Sequence, residues 1–331
     1  MPFSPLSPDD APIFDDILAA QQRLQGVTIR TPLLESPLLN DRIGRRILIK
    51  PECLQTTGSF KFRGASNRIR ALDDGELAGG VVAFSSGNHA QGVAAAARQR
   101  GIDATIIMPS DAPAIKKANT EAWGATVVTY DRFTENREEI GARIAEDRGA
   151  TLIRPYDDPF VIAGQGTIGL EIAAQLDEIG ATADIVVTPC GGGGLISGTA
   201  LALSGTKSEI SVFGAEPKDF DDTRRSLESG NRETVDPSAR SICDSILTPQ
   251  PGVLTWAINS RLLKGIVPIS DDQALAAMKT AFLDLKLVAE PGGATSLAAA
   301  LSGELPPGDG AIVAVISGGN VDPETFRRAL A

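Results

Sequence analysis

Histidine is almost missing from this chain: its 331 residues include one, His89. A single imidazole excludes metal sites built from several histidines. Nor can it by itself supply a Ser-His-Asp hydrolase, because His89 stands only three residues from its nearest serine, Ser86. Proton transfer therefore falls to lysine, carboxylate or hydroxyl groups. Cysteine is scarce as well. Cys53, Cys190 and Cys243 lie far apart, with no Cys-x-x-Cys and an odd total. That spacing argues against a thiolate zinc site or a disulfide framework and points to a reducing cytoplasm. Basic side chains are outnumbered, 31 against 42 acidic, for a net charge of -11. Such a chain is repelled by phosphate backbones, so nucleic acid and anionic membrane are not expected partners. No stretch reaches the roughly 18 uninterrupted apolar residues of a membrane span. The opening residues carry neither the basic nor the apolar region of a signal peptide.

What the sequence does have is a core. Hydrophobic residues make up 42% and charged residues 22%, as in a globular protein. Short β-branched runs at 47–50, 81–84, 104–108, 126–129, 185–188, 211–215 and 311–316 read as strands. They alternate with helical patterns at 89–101, 133–148, 166–180, 271–284 and 293–302. Strand-then-helix alternation marks βαβ units and parallel sheets, an α/β fold. The expected division is a discontinuous larger unit, 1–75 with 150–331, and a smaller α/β unit, 76–149.

Four segments carry chemistry. In Ser59-Phe60-Lys61-Phe62-Arg63-Gly64-Ala65 a lysine sits between two phenylalanines. Apolar neighbours favour a neutral, nucleophilic amine, as a Schiff-base lysine requires; the alternative is a surface helix with its lysine in water. Ser85-Ser86-Gly87-Asn88-His89 follows the strand at 81–84. Turn amides and hydroxyls at a helix start suit a carboxylate, or else form an ordinary capped turn. Cys190-Gly191-Gly192-Gly193-Gly194-Leu195 places four glycines after another strand. It is neither a Walker loop nor a dinucleotide fingerprint. Either the backbone wraps a phosphate there or it forms a flexible bend. Ser317-Gly318-Gly319-Asn320 ends the last strand and could set a neutral hydroxyl against a ring nitrogen.

Together with Ile162–Glu171, these segments resemble the fold-type II pyridoxal-phosphate (PLP) enzymes, specifically the serine/threonine dehydratase and serine racemase branch. The resemblance implies two open parallel-sheet domains with PLP in the cleft between them. It assigns covalent attachment to Lys61, ring packing to Phe60 and the phenolic oxygen to Asn88. Phosphate binding falls to Gly191, Gly192, Gly193, Gly194 and Leu195, and the pyridine nitrogen to Ser317. Substrate contacts are expected from Ser85, Ser86, Gly87, Asn88 and His89. Ser86 matches a serine that faces the lysine across the cofactor in racemase-like members. Glu216, the Phe220 carbonyl and Asp222 match that branch's site for Mg²⁺, Ca²⁺ or Mn²⁺, an all-oxygen set suited to a hard cation; the alternative is a solvated acidic loop. Arg137 matches an arginine placed to pair with a second carboxylate, or is a charge on a helix surface.

Two departures are visible. The family's Ala-Asp-Gly segment reads Ser241-Ile242-Cys243-Asp244-Ser245, with Cys243 expected as buried filler. Glu290, in a turn resembling the one that covers the ring, is a neighbour to test. The chain ends soon after Asn320, so feedback control through a C-terminal regulatory domain is not expected. The leading reading is a dehydratase (ammonia-lyase) of L-serine, L-threonine or 3-hydroxyaspartate, acting as a cytoplasmic homodimer on a small amino acid. The alternatives are an amino-acid racemase, a PLP-binding protein without turnover and, less well matched, a β-replacement synthase.

Overall fold

The computed structural model describes residues 6–112, 114–131 and 134–331, with the side chain of Glu138 left aside. The expected start of one helix at Phe133 and residues 1–5 of the N-terminal reading lie outside the described residues. Ten strands form two sheets among the described residues. They are β1 (Leu34–Glu35), β2 (Ile47–Pro51), β3 (Val81–Phe84), β4 (Ala104–Pro109), β5 (Thr126–Tyr130), β6 (Thr151–Leu152), β7 (Ala183–Pro189), β8 (Ser211–Pro217), β9 (Leu263–Ile269) and β10 (Ala311–Ile316). One sheet runs β1-β2-β10-β7-β8-β9 and the other β5-β4-β3-β6. All pairings are parallel except β1 with β2.

The larger sheet is buried on both faces, which is why its strands read as continuous apolar runs. Side chains alternate across a strand. Ile47, Ile49, Ile312, Ala314 and Ile316 accordingly face one cluster, with Met278 and Leu297 of the helices Asp271–Leu285 and Pro291–Ser302. Leu48, Val313 and Val315 face the other, with Ile168, Ile172 and Leu203 of the helices Pro159–Glu178 and Gly194–Thr206. Among the described residues no helix is long and apolar enough to cross a membrane.

The helix expected at 166–180 in fact spans Pro159–Glu178. The Asp158 carboxylate accepts the amides of Phe160 and Val161, and Pro159 occupies the first turn, so the cap sets the start earlier than the glycine-interrupted apolar pattern suggested. The close approach of neighbouring helices explains those glycines: a Cβ on Gly164 would lie 2.8 Å from the Gly64 Cα. Strand β9 was not anticipated, and the helix expected after the glycine turn, for which no bounds were given, spans Gly194–Thr206. The first is interrupted by Gly265 and Pro268, the second by Gly198 and Gly205, and these breaks hid their periodicity.

Charged residues also enter the interior. Lys50 on β2, Glu52 after it and Arg63 on the helix Lys61–Ala71 are fully buried. Arg63 donates to Glu52 through Nε (2.7 Å) and Nη2 (2.9 Å), and to Glu171 through Nη1 (2.7 Å) and Nη2 (2.9 Å). Lys50 donates to Glu171 at 2.6 Å, to Gln175 at 2.9 Å and to the Thr31 carbonyl at 2.7 Å. Burial raises the Glu52 pKa, but the Arg63 and Lys50 charges and hydrogen bonds outweigh it and hold it below the ordinary carboxylate range. Removing one partner leaves a buried charge unmatched, so Arg63→Ala is expected to lower the unfolding free energy by about 3–5 kcal/mol. Urea denaturation measures this, and a loss under about 1 kcal/mol would show that the cluster does not depend on Arg63.

Candidate active site

Parallel strands gather their carboxyl ends on one side, where ligands of open α/β sheets bind. The turns after β3, β7 and β10 meet there and, with Phe60 and Lys61, line one cavity of about 200 Å³. The lysine turn is stitched to the last strand: the Phe60 amide donates to the Ser317 carbonyl at 3.0 Å, and Ser59 bridges Gly318. Lys61 opens the helix Lys61–Ala71, and its Nζ donates to the Pro155 carbonyl at 2.8 Å, 5.1 Å from the centre of the Phe60 ring. Burial pushes its pKa down to about 8, against the opposing pull of Glu290. The surface-helix alternative is thereby excluded, since Phe62, Arg63, Ala65, Ser66 and Asn67 of this helix are buried.

Asn88, at the first turn of the helix Asn88–Arg100, joins residues from distant parts of the chain. Its Nδ2 donates to Glu290 Oε1 at 2.5 Å, and its Oδ1 accepts from Asn320 Nδ2 at 2.7 Å. Asn320 also donates to the Thr57 carbonyl at 2.8 Å. Burial, then the nearby Asp244, pushes Glu290 up to about 7, while bonds from Asn88 and Ser245 pull it down. Glu290 thus lines the cavity as a bonded member of the site. Asn320 and Ser245 were missed. Asn320 closes a motif read for its serine, and Ser245 lies in the departing segment. Ser317 lines the cavity at the end of β10.

Ser85, Ser86, Gly87 and His89 line the same cavity. Ser85 Oγ accepts the Gly87 amide at 3.2 Å, an internal bond of the turn. His89 is buried with Nε2 3.0 Å from the Ile153 carbonyl. Burial and then the Lys61 charge push its pKa down to about 3, so its ring is neutral and cannot offer charge to a carboxylate. Cys243 is a core residue and does not line the cavity.

The glycine loop is walled in. A Cβ on Gly192 would come within 2.6 Å of the Tyr156 ring, and one on Gly191 within 2.9 Å of the Ile246 Cα. Gly193 has φ +93°, a left-handed conformation that favours glycine. Among the described residues, none of the amides from Gly191 to Leu195 donates to a backbone carbonyl. These amides stand at the start of the helix Gly194–Thr206, where the helix dipole favours an anion. The Thr255 hydroxyl donates to the Gly192 carbonyl at 2.7 Å, and Asn259 accepts from Ser197 at 2.8 Å. The helix that carries both, Val253–Leu262, is capped by Asp157, which accepts the Val253 and Leu254 amides at 2.8 Å. A braced ring of free amides fits a phosphate, and a flexible bend does not account for it. Tyr156, Asp157, Thr255 and Asn259 carried no sequence signal, because their roles appear only once the loop is folded against them.

Two expected features lie outside this cavity. Arg137 is exposed at the start of the helix Arg137–Arg148, 5.2 Å from the Phe84 ring centre, and borders two adjoining hollows shared with Ser85 and Ser86. Glu216 is the penultimate residue of β8, and Asp222 opens the helix Asp222–Ser229. Both are buried, and burial raises both carboxyl pKa values. Glu216 accepts the Thr223 and Arg224 amides at 3.2 and 3.1 Å, whereas Asp222 Oδ2 has no partner. The Phe220 amide donates to the Pro217 carbonyl at 2.8 Å, folding the intervening turn. The solvated-loop alternative fails for these two carboxylates because they are buried. Among the described residues no three His, Cys, Asp or Glu side chains surround a common metal position. A metal there would need the Phe220 carbonyl and water.

Residues 24–318 match the family of pyridoxal-phosphate dependent enzymes. The chain is 42% identical over 317 residues to an L-threo-3-hydroxyaspartate ammonia-lyase of Pseudomonas sp, covering 96% of this chain and 98% of that one. It is 41% identical over 311 residues to a serine racemase of Oryza sativa subsp. indica, covering 92% and 90%. The structure of maize serine racemase superposes with a TM-score of 0.90 at 40% identity, covering 97% of each chain. Cavity, cradle and relatives agree: this chain belongs to the pyridoxal-phosphate dependent enzyme family, in its serine racemase and ammonia-lyase branch.

Proposed function

We propose that the protein is a PLP-dependent ammonia-lyase that converts a β-hydroxy amino acid into a 2-oxo acid and ammonia. The observation that carries this reading is the meeting of Lys61, its pKa lowered to about 8, with Ser86 and the glycine-loop amides around one cavity. PLP, when bound, supplies an electron sink for the substrate Cα. Gly191–Leu195 would hold its phosphate, Asn88 its phenolic oxygen, Ser317 its ring nitrogen, and Phe60 would pack on the ring. Lys61 takes the Cα proton, a task for which an amine titrating near neutrality is suited. The β-hydroxyl leaves with a proton as water to give an enamine, which tautomerises to an imine and takes up one water to yield the 2-oxo acid and ammonia. Ser317 would offer the ring nitrogen a neutral hydroxyl and not a carboxylate.

The ammonia-lyase relative and Arg137, on the wall of the hollow that adjoins the Lys61 cavity, favour 3-hydroxyaspartate among the substrates. Racemisation is the second reading, favoured by Ser86 on the wall of the Lys61 cavity and by the racemase relatives. Glu216, Asp222 and the Phe220 carbonyl form the proposed Mg²⁺ site. Its support is two buried carboxylates, one with an unpartnered oxygen, in an all-oxygen set. A cytoplasmic homodimer, with a larger unit of 1–75 and 150–331 and a smaller one of 76–149, completes the proposal.

Incubation with L-serine, L-threonine and both diastereomers of 3-hydroxyaspartate tests the activity. 2-Oxo acid and ammonia without the opposite enantiomer are expected. Enantiomer in excess would replace the lyase reading with the racemase, and neither product would leave a binding protein. Loading of the apoprotein with PLP should accelerate as pH rises, with a midpoint at about pH 8 set by Lys61. A midpoint near the ordinary lysine value of about 10.4 would refute the buried amine. Millimolar Mg²⁺ should raise the melting temperature of the wild type and not of Asp222→Asn; an indifferent wild type removes the metal site.

A further inference from the structure

Tyr156 lines both the Lys61 cavity and a wider outer chamber of about 680 Å³. Ser85, Ser86, Pro155 and Thr248 border both spaces. Arg137, Arg154 and Arg232 line the outer chamber, and Asp157 is the one acidic residue on its wall among the described residues. That carboxylate is engaged with the amides of Val253, Leu254 and Thr255. Arg154 stands close enough to Asp158 to influence it, but Asp158 is already paired with Arg68 at 3.2 Å and accepts two helix amides. Arg232 is fixed by donation to the Pro251 carbonyl from Nε at 2.9 Å and Nη2 at 2.7 Å. The wall therefore carries an excess of positive charge in a chain whose net charge is -11.

A low-dielectric cleft lined by one sign of charge concentrates ligands of the opposite sign. A zwitterionic amino acid gains little, because the field pulls its ammonium and carboxylate in opposite directions. An amino acid with a second carboxylate carries net negative charge and gains throughout its approach. We propose that the outer chamber is a collecting site for amino acids bearing a second carboxylate, held by Arg154 and Arg232 before they pass Tyr156 to the Lys61 cavity. This rests on the lyase reading above and assigns roles to two arginines that belong to none of the four motifs.

The test uses the holoenzyme as wild type, Arg154→Gln and Arg154→Lys, with L-threo-3-hydroxyaspartate and L-serine as substrates. Raising NaCl from about 20 to about 300 mM shortens the screening length from roughly 20 to roughly 6 Å. In the wild type kcat/KM for the dicarboxylate should fall about fivefold and that for serine by less than about twofold. Arg154→Gln should lower the dicarboxylate-to-serine ratio of kcat/KM about fivefold and flatten the salt slope, and Arg154→Lys should restore both. Unchanged salt slopes in Arg154→Gln, or equal losses for both substrates, would overturn the proposal. If neither substrate is turned over, the lyase reading fails by itself, and calorimetric titration with succinate still decides the chamber. Binding weakened about fivefold by Arg154→Gln supports it; binding that ignores the substitution, or no binding, overturns it.

Discussion

Two residues beyond Lys61, the Arg63 guanidinium lies out of water between Glu52 and Glu171. A buried charge is tolerated only where its partners are close and its donors are satisfied. That condition leaves little freedom to the three elements that supply the partners: the end of β2, the helix Lys61–Ala71 and the helix Pro159–Glu178. The lysine rides on the same first turn as Arg63, so its position follows from the ion cluster. Lys50 extends the constraint from β2 to Gln175 and Thr31.

From that anchor the site is assembled by contacts between segments far apart in sequence. Helix Asn88–Arg100 lies flush on the lysine turn, where a Cβ on Gly92 would stand 3.1 Å from the Lys61 carbonyl carbon. Asn88 then reaches across to Glu290 and Asn320, so the turn after β3 is bonded to residues flanking β10. At the cavity mouth Lys116 meets Asp244 at 2.6 Å, a second tie between the side of the smaller sheet and that of the larger. The exposed pair contributes little by itself; the buried amide bonds set the geometry.

Burial also decides which groups can do chemistry. His89, the lone imidazole, is made neutral and fastened to Ile153, whereas Lys61 is brought close to neutrality beside the glycine loop. The amine and the hydroxyls take the part that a histidine-poor chain could not give to imidazole.

The turns after β3, β7 and β10 were legible in the sequence because each is one contiguous run in which a strand ends and a helix begins. Local chemistry, namely glycine for a tight backbone and serine or asparagine for a helix start, is written in neighbouring residues. The parallel α/β character was legible for the same reason, through periodicity. Tertiary structure alone decided whether Lys61 faced water. Lys50 and Arg63 meet their shared partner Glu171, more than a hundred residues away, only in the folded chain. It alone placed Arg137 on a hollow beside the cavity, bonded Glu290 to Asn88, brought Tyr156 and Thr255 against the glycine loop, and set three arginines around one chamber. Sequence fixes what each side chain can do; desolvation and long-range pairing, which exist only in the folded chain, determine which of them does it.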